Sequence, residues 1–236
     1  MNRLLIVTGG TKGIGKAIVW KFAANGFDII TCARTKKDLL SLQQEFESTF
    51  TQSKLFWQCA DLSKKEQVLQ FADFINWLNR PVDVLVNNSG FFVPGQVYNE
   101  PEGALESQID ANLYSAYYLS RALLPPMIKR QDGHIFTMCS IASIIAYPNG
   151  GSYSISKFAL YGMTKVLREE LKDKGIRVTA VLPGATLTAS WEGTSLPPDR
   201  FMKSEDVAEA IYSTHCLSKN TVVEEIVLRP QLGDIN

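Results

Sequence analysis

Two residues with acid–base chemistry, Tyr153 and Lys157, stand four positions apart in the stretch Ser152–Lys157. On a helix this spacing places both side chains on one face. A tyrosine with a pKa near 10 is a poor acid–base group at neutral pH, but a neighbouring ammonium group stabilises the phenolate and lowers that pKa. The spacing alone is common by chance. In a suitable context it predicts a tyrosine that transfers protons.

Polar residues that follow two predicted strands supply that context. Ser140 comes after the strand His134–Met138, and the polar run Asn87–Gly90 comes at the end of the strand Val82–Val86. Open α/β sheets bind their ligands at the carboxyl ends of parallel strands, so both groups are expected at one edge with Tyr153. The residues therefore predict a polar site at that edge.

The first strand runs into a glycine-rich turn, Thr8–Gly15, which reads T-G-G-T-K-G-I-G. Glycines let the backbone turn tightly and approach a pyrophosphate, and the helix that follows offers free N–H groups and the positive end of its dipole. A plain strand–helix turn is the alternative. The position after an N-terminal strand and before a helix is the one that a dinucleotide site requires, so we expect such a site here.

The second strand indicates which dinucleotide binds. In NAD-binding chains an acidic residue usually follows the glycine loop by about 20 positions and binds the ribose 2′-hydroxyl. Here the second strand ends in Ala33 and Arg34 without an acid, and Lys12 stands in the loop itself. Two cations suit a 2′-phosphate, which predicts NADP(H) as the cofactor. The alternative is that both are solvated surface cations.

Together these motifs resemble those of the short-chain dehydrogenase/reductase family, in its single-domain branch, over essentially the whole chain. The small departure is Ser89, where the family usually has alanine. The residues that carry the resemblance are the T-G-x-x-x-G-x-G loop, Asp61-Leu62, Asn87-Asn88-Ser89-Gly90, Asn112, Ser140, Tyr153, Lys157 and Pro183-Gly184.

The resemblance implies a role for each catalytic candidate. Tyr153 would give its proton to a substrate carbonyl oxygen that Ser140 orients. Lys157 would bind the nicotinamide ribose and lower the pKa of Tyr153, and Asn112 would hold a water that connects Lys157 to solvent. The implied cofactor-binding residues are Gly9, Thr11, Lys12, Gly13, Ile14, Gly15, Arg34, Asp61, Leu62, Asn88, Ser89, Gly90, Tyr153, Lys157, Pro183, Gly184 and Thr188.

The elements that must position these residues alternate along the chain. Short apolar runs typical of buried parallel strands alternate with amphipathic stretches, which predicts one domain over residues 1–236: a doubly wound, seven-stranded parallel α/β sheet with helices on both faces, of Rossmann type. The predicted strands are Leu4–Thr8, Asp28–Ala33, Leu55–Cys59, Val82–Val86, His134–Met138, Arg177–Leu182 and Val222–Leu228.

The helices follow from their end signals. One runs over Gly13–Asn25, one starts with Ser63 as N-cap and Glu66 in a capping box, one covers about Ser152–Lys174, and the last starts at Ser204. A helical pattern over Ser107–Arg130 contains Pro125 and Pro126, where we expect a kink or a break.

Composition excludes several classes of protein. Lys and Arg together number 24 and Asp and Glu also number 24, so the net charge gives no case for binding nucleic acid or an acidic membrane. No apolar run is long enough to cross a bilayer, and the first one is too short for a signal peptide. The four cysteines are scattered and only two histidines occur, which predicts no metal site and a reducing, cytoplasmic location.

The substrate is less strongly indicated. By the resemblance, residues 185–203 form a short substrate lid, in which Trp191 either faces the substrate or packs on its own loop. The chain ending, together with Gly133–Phe136 and with Trp191 after Thr188, is similar to bacterial sepiapterin-reductase-like members. In sepiapterin reductases an acidic residue near the C-terminus can anchor the pterin. Asp234 is the candidate here, with a solvated tail residue as the alternative.

Several functions therefore stay open. A sepiapterin-like or other small diketone is the first substrate expectation, and a 3-oxoacyl thioester is the second. A protein that senses NADP without turning it over is the alternative outside enzymes. The resemblance also implies a homodimer or homotetramer packed through the helices after the fourth and fifth strands.

Overall fold

The computed structural model describes residues 2–191 and 193–235, and shows one seven-stranded parallel sheet with helices on both faces. Met1, Glu192 and Asn236, which belong to the predicted domain, lid and tail, lie outside the described residues. The sheet order is β3-β2-β1-β4-β5-β6-β7. The strands are β1 (Arg3–Thr8), β2 (Phe27–Ala33), β3 (Leu55–Cys59), β4 (Val84–Asn87), β5 (Gly133–Met138), β6 (Ile176–Pro183) and β7 (Glu225–Leu228). The predicted fold class is thus confirmed.

The inner strands of the sheet are buried on both faces, and their alternate side chains point to opposite layers. In β1, Leu4 and Ile6 pack into the core on one face, and Leu5 and Val7 pack into the core on the other. The helices are α1 (Gly13–Ala23), α2 (Lys36–Thr49), α3 (Lys65–Trp77), α4 (Ala104–Ile109), α5 (Ser115–Arg130), α6 (Gly151–Leu171) and α7 (Ser204–His215). No helix within residues 2–191 and 193–235 is both long and apolar enough to span a bilayer.

The helix that contains Pro125 and Pro126 is continuous at the two prolines. Helix α5 runs through both to Arg130, so the break is absent, and the alternative of a kink there stays a prediction. Both prolines face solvent, where water can satisfy the carbonyls that lose their N–H partners. An irregularity lies earlier, at the π-helical turn Asp110–Tyr114 between α4 and α5.

The predicted capping box at Ser63 is wrong. Helix α3 begins at Lys65 with Lys64 as its N-cap residue, and no side chain caps it. The Ser63 hydroxyl donates to the carboxylate of Asp61 at 2.8 Å instead. A short Asp–Ser hydrogen bond in the turn competes with capping of the helix, which is a usual behaviour of these side chains.

Candidate active site

The carboxyl ends of β4, β5 and β6 open onto a cavity of about 330 Å³. It lies beside the point where the strand order reverses, between β1 and β4, which is where ligands bind in doubly wound sheets. Of the predicted residues, those that line it are Ile14, Asn88, Gly90, Ser140, Tyr153, Lys157, Pro183, Gly184 and Thr188. The structure therefore brings Tyr153 and Lys157, which share one helix, together with Ser140 from the end of another element.

Ser140 is held in place by a reciprocal cap on the short turn that follows β5. Its hydroxyl oxygen accepts a hydrogen bond from the N–H of Ala142 at 3.1 Å, and its own N–H donates to the hydroxyl of Ser143 at 3.1 Å. Ser143 is fully buried. Because the Ser140 oxygen already accepts one hydrogen bond from the backbone, its hydroxyl proton stays available for a group in the cavity.

Tyr153 lies in the first turn of α6 and packs edge-to-face on Phe92, with ring centroids 4.8 Å apart. Burial raises the pKa of Tyr153 to about 12, and the nearby Ser140 hydroxyl acts in the opposite direction. Desolvation of the phenolate outweighs the other influences, so this pKa is not lowered here, and the predicted effect of Lys157 on it stays a prediction. At neutral pH the hydroxyl is protonated, as a proton donor must be.

Lys157 is buried one helical turn further along α6. Its ammonium group donates to the carbonyl of Met138 at 2.8 Å and lies 5.7 Å from the centre of the Tyr153 ring. Burial lowers the pKa of Lys157 to about 8, so the group still carries its charge at neutral pH. The hydrogen bond to the end of β5 fixes this charge beneath the tyrosine.

Asn112 lies in the π-helical turn and does not line the cavity; it supports the residues that do. Its amide nitrogen donates to the carbonyl of Phe91 at 3.1 Å and to the hydroxyl of Ser156 at 2.9 Å, while its amide oxygen accepts from the N–H of Phe91 at 2.9 Å. A Cβ on Gly90 would lie 2.7 Å from that oxygen, which requires glycine there. The predicted water on Asn112 stays a prediction.

The glycine-rich turn has the shape that a pyrophosphate requires. Gly9 and Gly13 have φ of +69° and +52°, and a Cβ on Gly15 would lie 2.2 Å from the carbonyl oxygen of Gly9. Helix α1 begins directly after Lys12 with no side-chain cap and no acidic residue in its first turn. Its first N–H groups are thus available to an anion, so these residues fit the phosphates of a dinucleotide.

Thr8, which begins the glycine-rich motif but is not among the predicted cofactor residues, holds this turn to the end of β4. Its hydroxyl accepts from the N–H of Asn88 at 2.9 Å and of Ser89 at 2.8 Å, and the Asn88 amide donates to the Thr8 carbonyl at 2.8 Å. Asn88 was predicted to contact the cofactor, and the structure gives it this second task. A hydroxyl just before the first glycine was the signal available in the sequence.

The remaining predicted cofactor residues lie along the ends of β1, β2 and β3, away from the cavity. Arg34 and Lys12 are exposed, Thr11 and Asp61 are half-buried, and Leu62 is buried. The Lys12 ammonium group pairs with the carboxylate of Asp38 in α2 at 3.1 Å. Asp38 was not foreseen, and it sets a negative charge beside the place predicted for a 2′-phosphate.

The lid and the C-terminal tail close the other side of the cavity. Trp191 lines the cavity and also packs on Phe201, with ring centroids 4.9 Å apart, and its contact with a substrate stays a prediction. Asp234 lines the cavity too, and one of its carboxylate oxygens pairs with Arg229 at 2.7 Å. Its other carboxylate oxygen is buried with no hydrogen-bond partner in the described part of the chain.

Arg200, in the lid, donates hydrogen bonds to the carbonyls of Gly233 and Asp234, both at 3.1 Å. These contacts hold the C-terminal tail, the residues after β7, against the lid.

No group of three or more histidine, cysteine, aspartate or glutamate side chains that could hold a metal ion occurs among the residues that the structure describes. All four cysteines are free thiols.

Known proteins resemble this chain in sequence and in structure. A family model described as short chain dehydrogenase matches residues 3–197. The sepiapterin reductase of Chlorobaculum tepidum is 31% identical over the full chain and 99% of its own length. An alcohol dehydrogenase from the archaeon Thermococcus sibiricus, complexed with 5-hydroxy-NADP, matches with a TM-score of 0.91 and 25% identity over 99% of both chains. A metagenomic short-chain oxidoreductase in complex with NADP matches with a TM-score of 0.83 and 27% identity over 97% of both chains.

Proposed function

This chain belongs to the short-chain dehydrogenase family of oxidoreductases, and on that basis we propose that it uses NADPH to reduce a small carbonyl compound to an alcohol. The observation that carries the proposal is the meeting of Tyr153, Ser140 and Lys157 in one cavity beside the glycine-rich turn. The NADP complexes of two structural relatives support the choice of cofactor.

The residues of the chain divide the proposed reaction between them. The protonated Tyr153 hydroxyl gives its proton to the carbonyl oxygen as the carbon gains a hydride, which yields the alcohol. Ser140, whose oxygen already accepts a hydrogen bond from the Ala142 N–H, keeps its proton and donates a hydrogen bond to the same substrate oxygen, which orients it. The buried positive charge of Lys157 stabilises the phenolate that Tyr153 becomes. NADPH, when bound, supplies the hydride.

Asp234 supports a substrate with N–H donors, such as a pterin. Its unpartnered oxygen is buried at the cavity wall while Arg229 holds the other oxygen. A buried carboxylate oxygen without a partner is costly, and a ligand N–H would satisfy it. A sepiapterin-like substrate, with a side-chain ketone to reduce and a ring rich in N–H groups, therefore fits this cavity better than a simple aliphatic ketone.

The test is a comparison of substrates with purified protein. NADPH consumption is followed with sepiapterin, diacetyl, an aromatic aldehyde and an acetoacetyl thioester, and NADH replaces NADPH as the control. We expect sepiapterin to give the highest kcat/KM and NADPH to be preferred. A clear preference for the acetoacetyl thioester would replace the pterin assignment. NADPH binding without turnover of any substrate would contradict the enzymatic proposal and favour a sensing protein.

We also propose that the chain forms a homodimer through the faces of α5 and α6. Tyr117 on α5 and Ile155 and Phe158 on α6 are large apolar side chains that stand exposed on these helices. Neighbouring apolar residues on exposed helices commonly mark a protein interface. Analytical ultracentrifugation tests this: a dimer that Phe158→Glu converts to a monomer is expected, and a wild-type monomer would contradict it.

A further inference from the structure

The first turn of α6, which carries Tyr153, takes its cap from a distant residue. Its N-cap residue is Gly150, and no side chain at that position caps the helix. Glu100, in the loop between β4 and α4, accepts hydrogen bonds from the N–H of Ser152 at 2.9 Å and from the Ser152 hydroxyl. A carboxylate at a helix N-terminus satisfies free N–H groups and interacts favourably with the helix dipole.

Two glycines make room for this carboxylate. A Cβ on Gly151 would lie 2.1 Å from a carboxylate oxygen of Glu100, and a Cβ on Gly95 would lie 2.5 Å from the same oxygen. Gly151 also has a φ of +36°, which favours glycine. The backbone on both sides is thus shaped around the Glu100 side chain, so the contact is a specific feature of this fold.

The loop that carries Glu100 also touches the catalytic residues at its other end. We call residues 91–103 the β4–α4 loop. Its start, Phe91, is held by the amide of Asn112, and the next residue, Phe92, packs on the ring of Tyr153. In its middle, the N–H of Gly95 donates to the carbonyl of Asn149 at 3.1 Å, just before α6. The β4–α4 loop therefore contacts the start of α6 at three points, and Glu100 provides one of them.

We propose that Glu100 is a positioning residue for Tyr153. Its carboxylate fixes the first turn of α6 against the β4–α4 loop, and so sets where the tyrosine hydroxyl stands relative to Ser140 and keeps Phe92 against the tyrosine ring. The inference rests on the proposed reductase function for its kinetic consequence, but the capping itself is independent of it. Small displacements of a reacting group lower rates strongly.

The experiment compares Glu100→Ala and Glu100→Gln with Glu102→Ala as the matched control. Glu102 is an exposed glutamate in the same loop. With sepiapterin and NADPH, we expect Glu100→Ala to lower kcat by about tenfold or more and to raise the substrate KM. The dissociation constant for NADPH should stay unchanged, because the glycine-rich turn is held separately by Thr8. Glu100→Gln, which keeps an acceptor oxygen, should lose less, and Glu102→Ala should behave as wild type.

Amide hydrogen exchange gives a second readout that needs no substrate. Loss of a helix cap should speed exchange at Ser152 and Tyr153 by about fivefold in Glu100→Ala, while α1 keeps its protection. Unchanged kcat and KM in Glu100→Ala would overturn the proposal, even if the protein melts earlier. Should Glu100→Ala not fold, a Glu100→Gln protein with wild-type kinetics and exchange would overturn it. A wild-type protein without reductase activity would contradict the proposed function, and the exchange data would then decide the capping alone.

Discussion

The two ends of the parallel sheet both bury titratable side chains, and they differ in what surrounds those side chains. At the carboxyl end, Tyr153 and Lys157 line a cavity of about 330 Å³. At the amino end, His134 and His215 are buried with ring centroids 5.7 Å apart. His134 stacks on Phe136 at 4.0 Å and shares a hydrogen bond with the hydroxyl of Thr179 at 2.9 Å.

In both regions burial shifts the pKa of each group in the direction that favours its uncharged form. It raises the pKa of Tyr153 to about 12 and lowers that of Lys157 to about 8. It lowers the pKa of His134 to about 2 and that of His215 to about 4, and the nearby Arg177 adds to both effects. A perturbed pKa therefore does not by itself mark an active site. What distinguishes the carboxyl end is space for a reacting molecule, bordered by groups that can donate protons to it.

The largest effect should come from the tyrosine at the carboxyl end. We expect Tyr153→Phe to lower kcat by about 10²–10⁴-fold, because general acid catalysis typically contributes that much. NADPH binding, measured by fluorescence titration, should persist. Tyr161→Phe is the matched control, because Tyr161 lies on the same helix and its hydroxyl bonds to Glu225 instead of facing the cavity. Retained turnover in Tyr153→Phe would show that the cavity works through another donor.

The two buried histidines at the amino end should make the free energy of unfolding depend on pH and should not affect catalysis. The folded pKa values of His134 and His215 lie below the unfolded value of about 6.5, so the unfolded chain binds more protons below that pH. Stability is thus fully present above about pH 6.5 and is lost as the pH falls toward 4 and then 2. Each histidine should remove up to about 2 kcal/mol between pH 7 and pH 5.

Urea unfolding at the two pH values measures this, with His134→Leu as the variant. The variant should lose about half as much unfolding free energy as the wild type over the same pH interval, and its kcat at pH 7 should match the wild type. An equal loss in both proteins would mean that other groups govern the acid response. A lower kcat would mean that the two ends of the sheet are coupled.

Asp234 tests whether the tail belongs to the carboxyl-end site. We expect Asp234→Asn to raise the KM for sepiapterin by about tenfold, since a hydrogen bond to a charged group contributes about 1.5–3 kcal/mol. The KM for diacetyl, which has no N–H donor, should change little and serves as the internal control. Equal changes for both substrates would indicate that the variant merely loosens the tail held by Arg229 and Arg200.

The sequence predicts the strands and the core of the site well, because both depend on simple repeating patterns of residues. All seven strands overlap the predicted apolar runs, although β7 begins at Glu225, three residues after the predicted start. The inner strands are buried on both faces, which demands such runs. Tyr153 and Lys157 meet because helical spacing alone puts them together, and the carboxyl ends of β5 and β4 bring Ser140 and Asn88 to the same edge. Pattern and topology were sufficient for this part of the site.

The sequence-based predictions fail where two contacts compete for the same group, or where a contact joins residues that are distant in sequence. The solvent-facing Pro125 and Pro126 leave α5 unbroken, and Ser63 bonds to Asp61 instead of capping α3. The pKa of Tyr153 depends on desolvation, which only the folded structure provides. Glu100 reaches Ser152 across a large separation in sequence, and no local motif indicates such a contact.

The smallest expected effect concerns the outer end of the cofactor site, where Asp38 pairs with Lys12 at 3.1 Å. Removing this carboxylate frees the lysine and takes a negative charge away from the expected 2′-phosphate. An exposed ion pair contributes about 0.2–1 kcal/mol, so Asp38→Asn should raise the NADPH-to-NADH ratio of kcat/KM by up to about fivefold. Added salt should shrink the gain, because it screens exposed charges. Glu47→Gln, at the far end of the same helix, is the matched control and should leave the ratio unchanged. If Asp38→Asn raised kcat/KM equally with NADPH and with NADH, the 2′-phosphate would not lie beside Lys12. Arg34 would then be its remaining predicted partner.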